Sequence, residues 1–198
     1  MANKSVMIVG VGGQGILLVS KVIGSFCAHM GYDVKVSEVH GMSQRGGSVV
    51  THVRYGADKV YSPVIDLGEA DLLLSFELLE AARYLPYLRA DGTVITNTQR
   101  IMPMPVITGA AEYPEGLESS ISSAGVKLIS FDALTPAEET GNPKAVNMVL
   151  LGTAARLLGG DSGMWHRAVT DCAKPQFAES NIKAFDYGYS YAERSKNV

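Results

Sequence analysis

Short runs of consecutive apolar residues alternate along this chain with longer stretches in which apolar residues recur every three or four positions, a rhythm that predicts strands and helices in turn. Ser5-Val6-Met7-Ile8-Val9 has no helical period and ends in Gly10-Val11-Gly12-Gly13-Gln14-Gly15, which reads as a buried strand entering a glycine turn. Ile16, Val19, Ile23, Phe26 and Met30 then mark one face of an amphipathic helix, and Gly31 supplies its C-cap. Asp33 to Val39 mixes valines with polar residues as a second strand does, completing a right-handed βαβ unit. A polar loop from His40 to Gly47 leads not to a helix but to another extended run. There Val49, Thr51, Val53 and Tyr55 alternate with His52 and Arg54, and Gly56-Ala57-Asp58 turns the chain toward Lys59-Val60-Tyr61. This pattern predicts an antiparallel hairpin inserted in a parallel sheet.

The α/β rhythm then resumes. Asp71 to Phe76 reads as a strand, Glu77 to Leu85 as a helix stopped near Pro86, and Gly92 to Thr96 as a strand. Pro114 to Ala124 reads as a helix, Val126 to Phe131 as a final strand, and Asn142 to Leu158 as a long helix with Pro143 in its first turn. Prolines 103, 105 and 114 discourage helix and make Ile101 to Pro114 a loop or an edge excursion, and the tail from Gly163 is helical by default. The fold class expected is α/β: a three-layer α/β/α arrangement around a mostly parallel, Rossmann-like sheet with the inserted hairpin. No repeat or composition break divides residues 1–198, so one domain is expected.

Composition narrows what such a domain does. A net charge of −3 gives no general grip on nucleic acid or anionic lipid. The longest apolar stretch, Ala145 to Leu158, is interrupted by Asn147 and Arg156 and is shorter than the roughly 20 residues of a membrane span. Only 2 cysteines are present, Cys27 and Cys172, short of the four thiolates that usually hold an iron–sulfur cluster, so no cluster is expected on this chain. With no secretion signal in the opening residues, a reduced, cytoplasmic protein is the expectation. Charged residues make up 19%, below the roughly 25% of an average globular protein, which leaves apolar surface for another chain to cover.

Three features could carry chemistry. Gly10, Gly12 and Gly15, with Gly13 and Gln14 between them, fit a Gly-x-Gly-x-x-Gly turn between strand and helix. Such a turn allows close backbone approach and offers free N–H groups to a phosphate or carboxylate, although the same glycines also suit a purely structural turn. Glu38 ends the second strand, where a dinucleotide-binding fold keeps its ribose-holding acid; the alternative is a polar residue paired with Arg45 or a backbone amide. The densest polar constellation is His40-Gly41-Met42-Ser43-Gln44-Arg45-Gly46-Gly47. Arg45 can fork onto a carboxylate or phosphate, Ser43 and Gln44 can orient it, Gly46 and Gly47 permit close approach, and His40 titrates near neutrality. The plainer alternative is a glycine-rich turn that satisfies its own polar groups. His29, His52 and His166 read as surface or satisfied structural residues, and no metal-ligand spacing is evident.

Taken together, the glycine turn at Gly10 to Gly15 and the segment from Ser37 to Val49 resemble the gamma-type catalytic domain of the 2-oxoacid:ferredoxin oxidoreductases, with the indolepyruvate-oxidising members nearest. The resemblance extends through Gly141-Asn142-Pro143-Lys144-Ala145-Val146-Asn147 to Asn181-Ile182-Lys183-Ala184-Phe185 and Gly188, nearly the whole chain. It implies a subunit of a heteromeric enzyme that converts a 2-oxo acid, here an arylpyruvate, and coenzyme A to acyl-CoA and carbon dioxide while passing electrons to ferredoxin. Thiamine diphosphate and the iron–sulfur clusters would lie on a larger partner subunit and none on this chain alone. The substrate, coenzyme A or phosphate-facing positions would be Gly10, Gly12, Gly13, Gln14, Gly15, Glu38, His40, Ser43, Gln44, Arg45, Gly46 and Gly47. Two other readings stay open: a stand-alone NAD(P)-dependent oxidoreductase using Glu38, and a non-catalytic nucleotide or acyl-CoA binding module. Met102, Met104, Trp165 and Phe177 are candidates for partner contact or for covering the chain's own sheet.

Overall fold

A computed structural model describes residues 3–41 and 46–195 of the chain. Met42, Ser43, Gln44 and Arg45 lie outside the described residues, as does the side chain of His40. Six strands form one sheet: β1 (Lys4–Val11), β2 (Asp33–His40), β3 (Ser48–Gly56), β4 (Ala70–Ser75), β5 (Leu88–Asn97) and β6 (Lys127–Phe131). Their order is β2-β3-β1-β4-β5-β6, with β1, β4, β5 and β6 parallel and β3 antiparallel to both of its neighbours.

The central strand explains its own sequence. Val6 and Ile8 of β1 point into one apolar core and Met7 and Val9 into another, so both faces are buried and no polar alternation is needed. The first core lies under α1 (Ile16–His29), α6 (Val146–Leu158), α7 (Ser162–Cys172) and α8 (Ala178–Ser195). The second lies under α2 (Leu78–Tyr84) and α4 (Leu117–Ser123), and the short helices α3 (Met104–Ile107) and α5 (Leu134–Glu139) complete the chain. Helices on both faces of a mostly parallel sheet are the three-layer α/β arrangement expected from the sequence.

The inserted hairpin is present, but its strands are β2 and β3, and Lys59 to Tyr61 is not a strand. β3 slots between β2 and β1, so both of its edges are taken and residues 59–61 cannot pair with it as the second strand of a hairpin. Those residues begin a strap that lies over the sheet. Val60 N–H donates to Asp33 Oδ2 at 2.8 Å, Ile65 N–H donates to His52 Nδ1 at 3.2 Å, and Val60 and Ile65 are buried. Burial holds the His52 imidazole below its ordinary pKa, which favours the neutral ring that accepts this bond.

Two further expectations from sequence resolve in the packing. Trp165 is wholly buried, stacked on Phe26 with ring centroids 3.7 Å apart, and its Nε1 donates to Gly159 O; it covers the chain's own core and is no partner contact. Met102, Met104 and Phe177, by contrast, are exposed. Gly152 and Gly188 let α6 and α8 approach until a side-chain carbon at either position would overlap the backbone of the other helix. Thr153 of α6 reinforces that crossing, its Oγ1 lying 3.1 Å from Gly188 O. Cys27 and Cys172 are free thiols, and burial pushes the Cys27 thiol up to about 12. Among the described residues, no helix is long and apolar enough to cross a membrane.

Candidate functional site

The site is built at the carboxyl ends of the parallel strands, where open α/β sheets bind their ligands. β1 runs directly into the turn Gly12 to Gly15, and α1 follows. Gly13 (φ +104°) and Gly15 (φ +84°) both adopt the left-handed backbone that glycine tolerates, and Gly15 caps α1 without any side chain, leaving the first amides of the helix open.

Gln14 holds the turn in shape. Its Oε1 accepts the Val11 N–H at 2.7 Å, and its Nε2 donates to Phe76 O at 3.0 Å, just past β4. The same Nε2 lies 3.3 Å from Gln99 Oε1, to which Asn97 Nδ2 also points, while Asn97 Oδ1 accepts the Ala133 N–H at 3.1 Å. A chain of side-chain amides thus ties the glycine turn to the ends of β4, β5 and β6. Gly10 is required by this arrangement, since a Cβ there would stand 2.7 Å from Gln14 Oε1 and 2.9 Å from Phe76 Cβ.

The two segments singled out in the sequence meet. Gly12 N–H donates to Gly47 O at 2.9 Å, and Gly46 N–H points back to Gly12 O at 3.5 Å. The Gly141 to Asn147 motif joins them from the other side. Asn142 Oδ1 accepts the Lys144 N–H, shaping the turn that starts α6, and Asn147 Nδ2 lies 3.4 Å from Gly15 O. The glycine turn therefore stands as a crest between clefts. One, of about 720 Å³, is lined by Gly13, Gln14, Gln99, Lys144, Asn147 and Asn181. A second, of about 510 Å³, runs past Gly12, Leu17, Lys21 and Val49. A third, of about 480 Å³, opens beyond Gly46 and Gly47 toward Glu80, Arg83, Met102 and Met104. Open amides at a helix start, with Lys21 and Lys144 to either side, suit a ligand that carries negative charge.

Glu38 is not part of this assembly. Because β3 lies between β2 and β1, Glu38 stands two strand spacings, roughly 10 Å, from the strand that carries the glycine turn. Its Oε1 is 3.1 Å from Ser20 Oγ on α1, and it lines none of the three clefts. A ribose-holding acid belongs on the strand beside the first, so the geometry of a dinucleotide site is missing. His40 ends β2 opposite Val49, and Ser43, Gln44 and Arg45 lie outside the described residues.

Several polar residues at this edge escaped the sequence reading. Glu77 is buried and caps α2; its carboxylate accepts N–H bonds from Glu80 and Ile101 and the Tyr113 hydroxyl at 2.6 Å. Burial, helped by that bond, raises the Tyr113 phenol above its usual pKa. Glu80 is buried as well, beside Ser48. Asn97 and Gln99 could have been found in the polar run Asn97-Thr98-Gln99-Arg100 that closes an apolar strand. The described residues contain no group of three or more His, Cys, Asp or Glu that could hold a metal ion. Two cysteines, one of them fully buried in the core, do not fit a four-thiolate cluster.

Residues 5–191 match the pyruvate ferredoxin/flavodoxin oxidoreductase family. The chain is 39% identical over 203 residues to the indolepyruvate oxidoreductase subunit IorB of Pyrococcus horikoshii, with all of both chains covered. Its fold is shared by the gamma subunit of a keto/oxoacid ferredoxin oxidoreductase from Geobacter sulfurreducens, at TM-score 0.72 and 22% identity over 96% of this chain and 99% of that one. It is shared too by 2-oxoglutarate:ferredoxin oxidoreductase from Magnetococcus marinus, solved with 2-oxoglutarate, coenzyme A and succinyl-CoA bound, at TM-score 0.75 and 20% identity over 98% of this chain and 32% of that one.

Proposed function

Because the chain belongs to the pyruvate ferredoxin/flavodoxin oxidoreductase family, we propose that it is the smaller subunit of a heteromeric enzyme that oxidatively decarboxylates an arylpyruvate such as indolepyruvate. Coenzyme A and ferredoxin would be its co-substrates, and acyl-CoA and carbon dioxide its products. The observation that carries this reading is the end-to-end likeness to an indolepyruvate oxidoreductase subunit, with all of both chains covered. Its motifs gather at one sheet edge, which supports a single gamma-type domain over residues 1–198.

In this reading thiamine diphosphate and the iron–sulfur clusters are held by a larger partner subunit, and thiamine diphosphate supplies the carbanion chemistry there. What supports that placement is the donor set here, two thiols whose pKa burial raises, short of the four thiolates that usually hold a cluster. This chain's own residues bind and orient. The amides at the start of α1, with Lys21, Lys144 and Arg45, attract the anionic parts of the 2-oxo acid or coenzyme A, and Gln14 keeps the turn that presents them. Two unpaired cysteines suit a reducing cytoplasm.

Purification from the native cell tests the subunit reading. A brown complex with a larger, cluster-bearing, thiamine-containing chain is expected; a colourless homo-oligomer that turns over a nicotinamide cofactor contradicts it. For the site itself, Arg45→Ala in the assembled enzyme should raise the KM for 2-oxo acid or coenzyme A by an amount corresponding to about 1.5–3 kcal/mol of lost charge-assisted hydrogen bonding. Unchanged kinetics in a stably assembled variant would remove Arg45 from the site.

A further inference from the structure

Helices α6 and α8 each begin with a residue that breaks the pattern of its own buried side. On α8 that side runs Asn181, Ala184, Phe185, Gly188 and Ala192, apolar or glycine at every step but the first. Asn147 stands likewise in the first turn of α6, ahead of the fully buried Met148, Leu150 and Leu151. Both asparagines are only 5% exposed. A carboxamide is costly to bury unless its donors and its acceptor find partners, and buried polar side chains that serve the fold are bonded to it, as Asn97 is to the Ala133 N–H and Thr153 to Gly188 O. The Asn181 side chain makes no hydrogen bond to any described residue. Asn147 makes one, from Nδ2 to Gly15 O at 3.4 Å, which leaves its Oδ1 unmet.

What the two amides share is the 720 Å³ cleft, which both of them line. Its wall is one-sided in charge. None of the described residues that line it is acidic, and Lys144 stands there with no ion-pair partner among the described residues. The starts of α1, α6 and α8 all border it, so three helices present their positive ends there. Glu179, the acid in the first turn of α8, is paired with Lys183 at 2.7 Å and does not line the cleft. The frame is also fixed: Asn142 Nδ2 lies 3.5 Å from Ser180 Oγ, and the crossing at Gly152 and Gly188 holds the two helices together.

We infer that Asn181 is a ligand-contacting residue that sets specificity, and that with Asn147 it holds an anionic oxygen of the ligand in this cleft, a carboxylate or a phosphate. The inference rests on the functional reading above, in which such oxygens belong to the 2-oxo acid or to coenzyme A. A lysine and helix ends attract negative charge broadly; directed amide donors fix where the oxygens sit. Leu18, Leu134 and Phe177 give the same cleft an apolar wall for the rest of the ligand.

Two variants test this in the assembled enzyme. Asn181→Leu keeps the size and removes the polar atoms, while Asn181→Asp keeps the shape and adds a negative charge. The KM for the 2-oxo acid or for coenzyme A should rise about tenfold in Asn181→Leu and about thirtyfold in Asn181→Asp, with kcat changed less than about twofold. A rise for the 2-oxo acid identifies the anion as its carboxylate, and a rise for coenzyme A as a phosphate. If Asn181 only filled space, aspartate would be the milder change, so a larger loss in Asn181→Leu than in Asn181→Asp overturns the inference. Unchanged KM for both substrates in both variants overturns it as well, and either result leaves the functional reading standing. On the full-length chain alone, inorganic pyrophosphate should shift the NMR signals of the Asn181 side-chain amide and bind about tenfold more weakly to Asn181→Leu. Should Asn181→Asp fail to fold, this pyrophosphate response decides, and its absence overturns the contact. A wild-type complex that oxidises no 2-oxo acid, built on a chain that still binds pyrophosphate in this way, keeps the contact and defeats the functional reading.

Discussion

Replacing Gly188 with valine should lower the melting temperature by roughly 10 °C, the largest stability loss expected of any single substitution discussed above. The cause is backbone contact between helices. At Gly188 a Cβ would overlap Val149 O and crowd Thr153 N, both main-chain atoms of α6, and no rotamer change relieves that. To admit the side chain the helices must separate. Separation undoes the Thr153 bond to Gly188 O and loosens the packing of Met148, Leu151, Ala184 and Phe185, at a cost of about 3 kcal/mol, the upper part of the overpacking range. Gly152→Val should do the same from the other side, since its Cβ would meet Phe185 O. Gly24→Ala is the internal comparison. Gly24 sits inside α1 with nothing within 4 Å of its would-be Cβ, so alanine there should be neutral or stabilising by about 0.5–1 kcal/mol. Equal melting temperatures for Gly188→Val and wild type would contradict the close crossing.

Gly15→Val should cost the assembled enzyme about 100-fold in kcat/KM, the loss typical when site geometry moves by about an ångström. Two effects combine at Gly15. Its φ of +84° is a conformation that a β-branched residue resists, and its Cβ would stand 2.5 Å from Asn147 Nδ2. The turn must then rotate or push Asn147 aside, and either movement shifts the open amides of α1 and the wall of the 720 Å³ cleft. Gly13→Ala separates the two effects. Gly13 has a φ of +104° but open space around its Cβ, so only the backbone strain applies and a smaller loss is expected. Kinetic measurement of both variants checks the ordering; a Gly15→Val enzyme with wild-type kcat/KM would take the glycine turn out of the site.

The parts of this molecule that are legible in its sequence are those decided locally. β1 and β4 read as unbroken apolar runs because helices cover both of their faces, and α1 and α6 carry the period of a helix pressed on a core. The meeting of Gly12 with Gly47 was implied by where their strands end. The identity of the hairpin's strands was not, because His52 and Arg54 look like solvent-facing positions of a half-buried strand. In fact the strap over residues 57–69 covers that face: His52 receives Ile65 N–H, and Arg54 reaches Val64 O and the Glu69 carboxylate. A strap that binds through side chains leaves no periodic trace. Glu38 was misplaced for a related reason, since its distance along the chain from Gly15 is suitable and only the insertion of β3 puts it out of reach. Glu80 carried no signal either, because an acid in the first turn of a short helix is expected to face water.

The most direct test of the account is to combine this chain with the larger, cluster-bearing subunit from the same cell and measure the reduction of ferredoxin by indolepyruvate in the presence of coenzyme A. The account predicts ferredoxin reduction and acyl-CoA formation only when both chains, the 2-oxo acid and coenzyme A are present, with neither chain active alone. Full activity of the larger subunit without this chain, or nicotinamide turnover by this chain by itself, would contradict it.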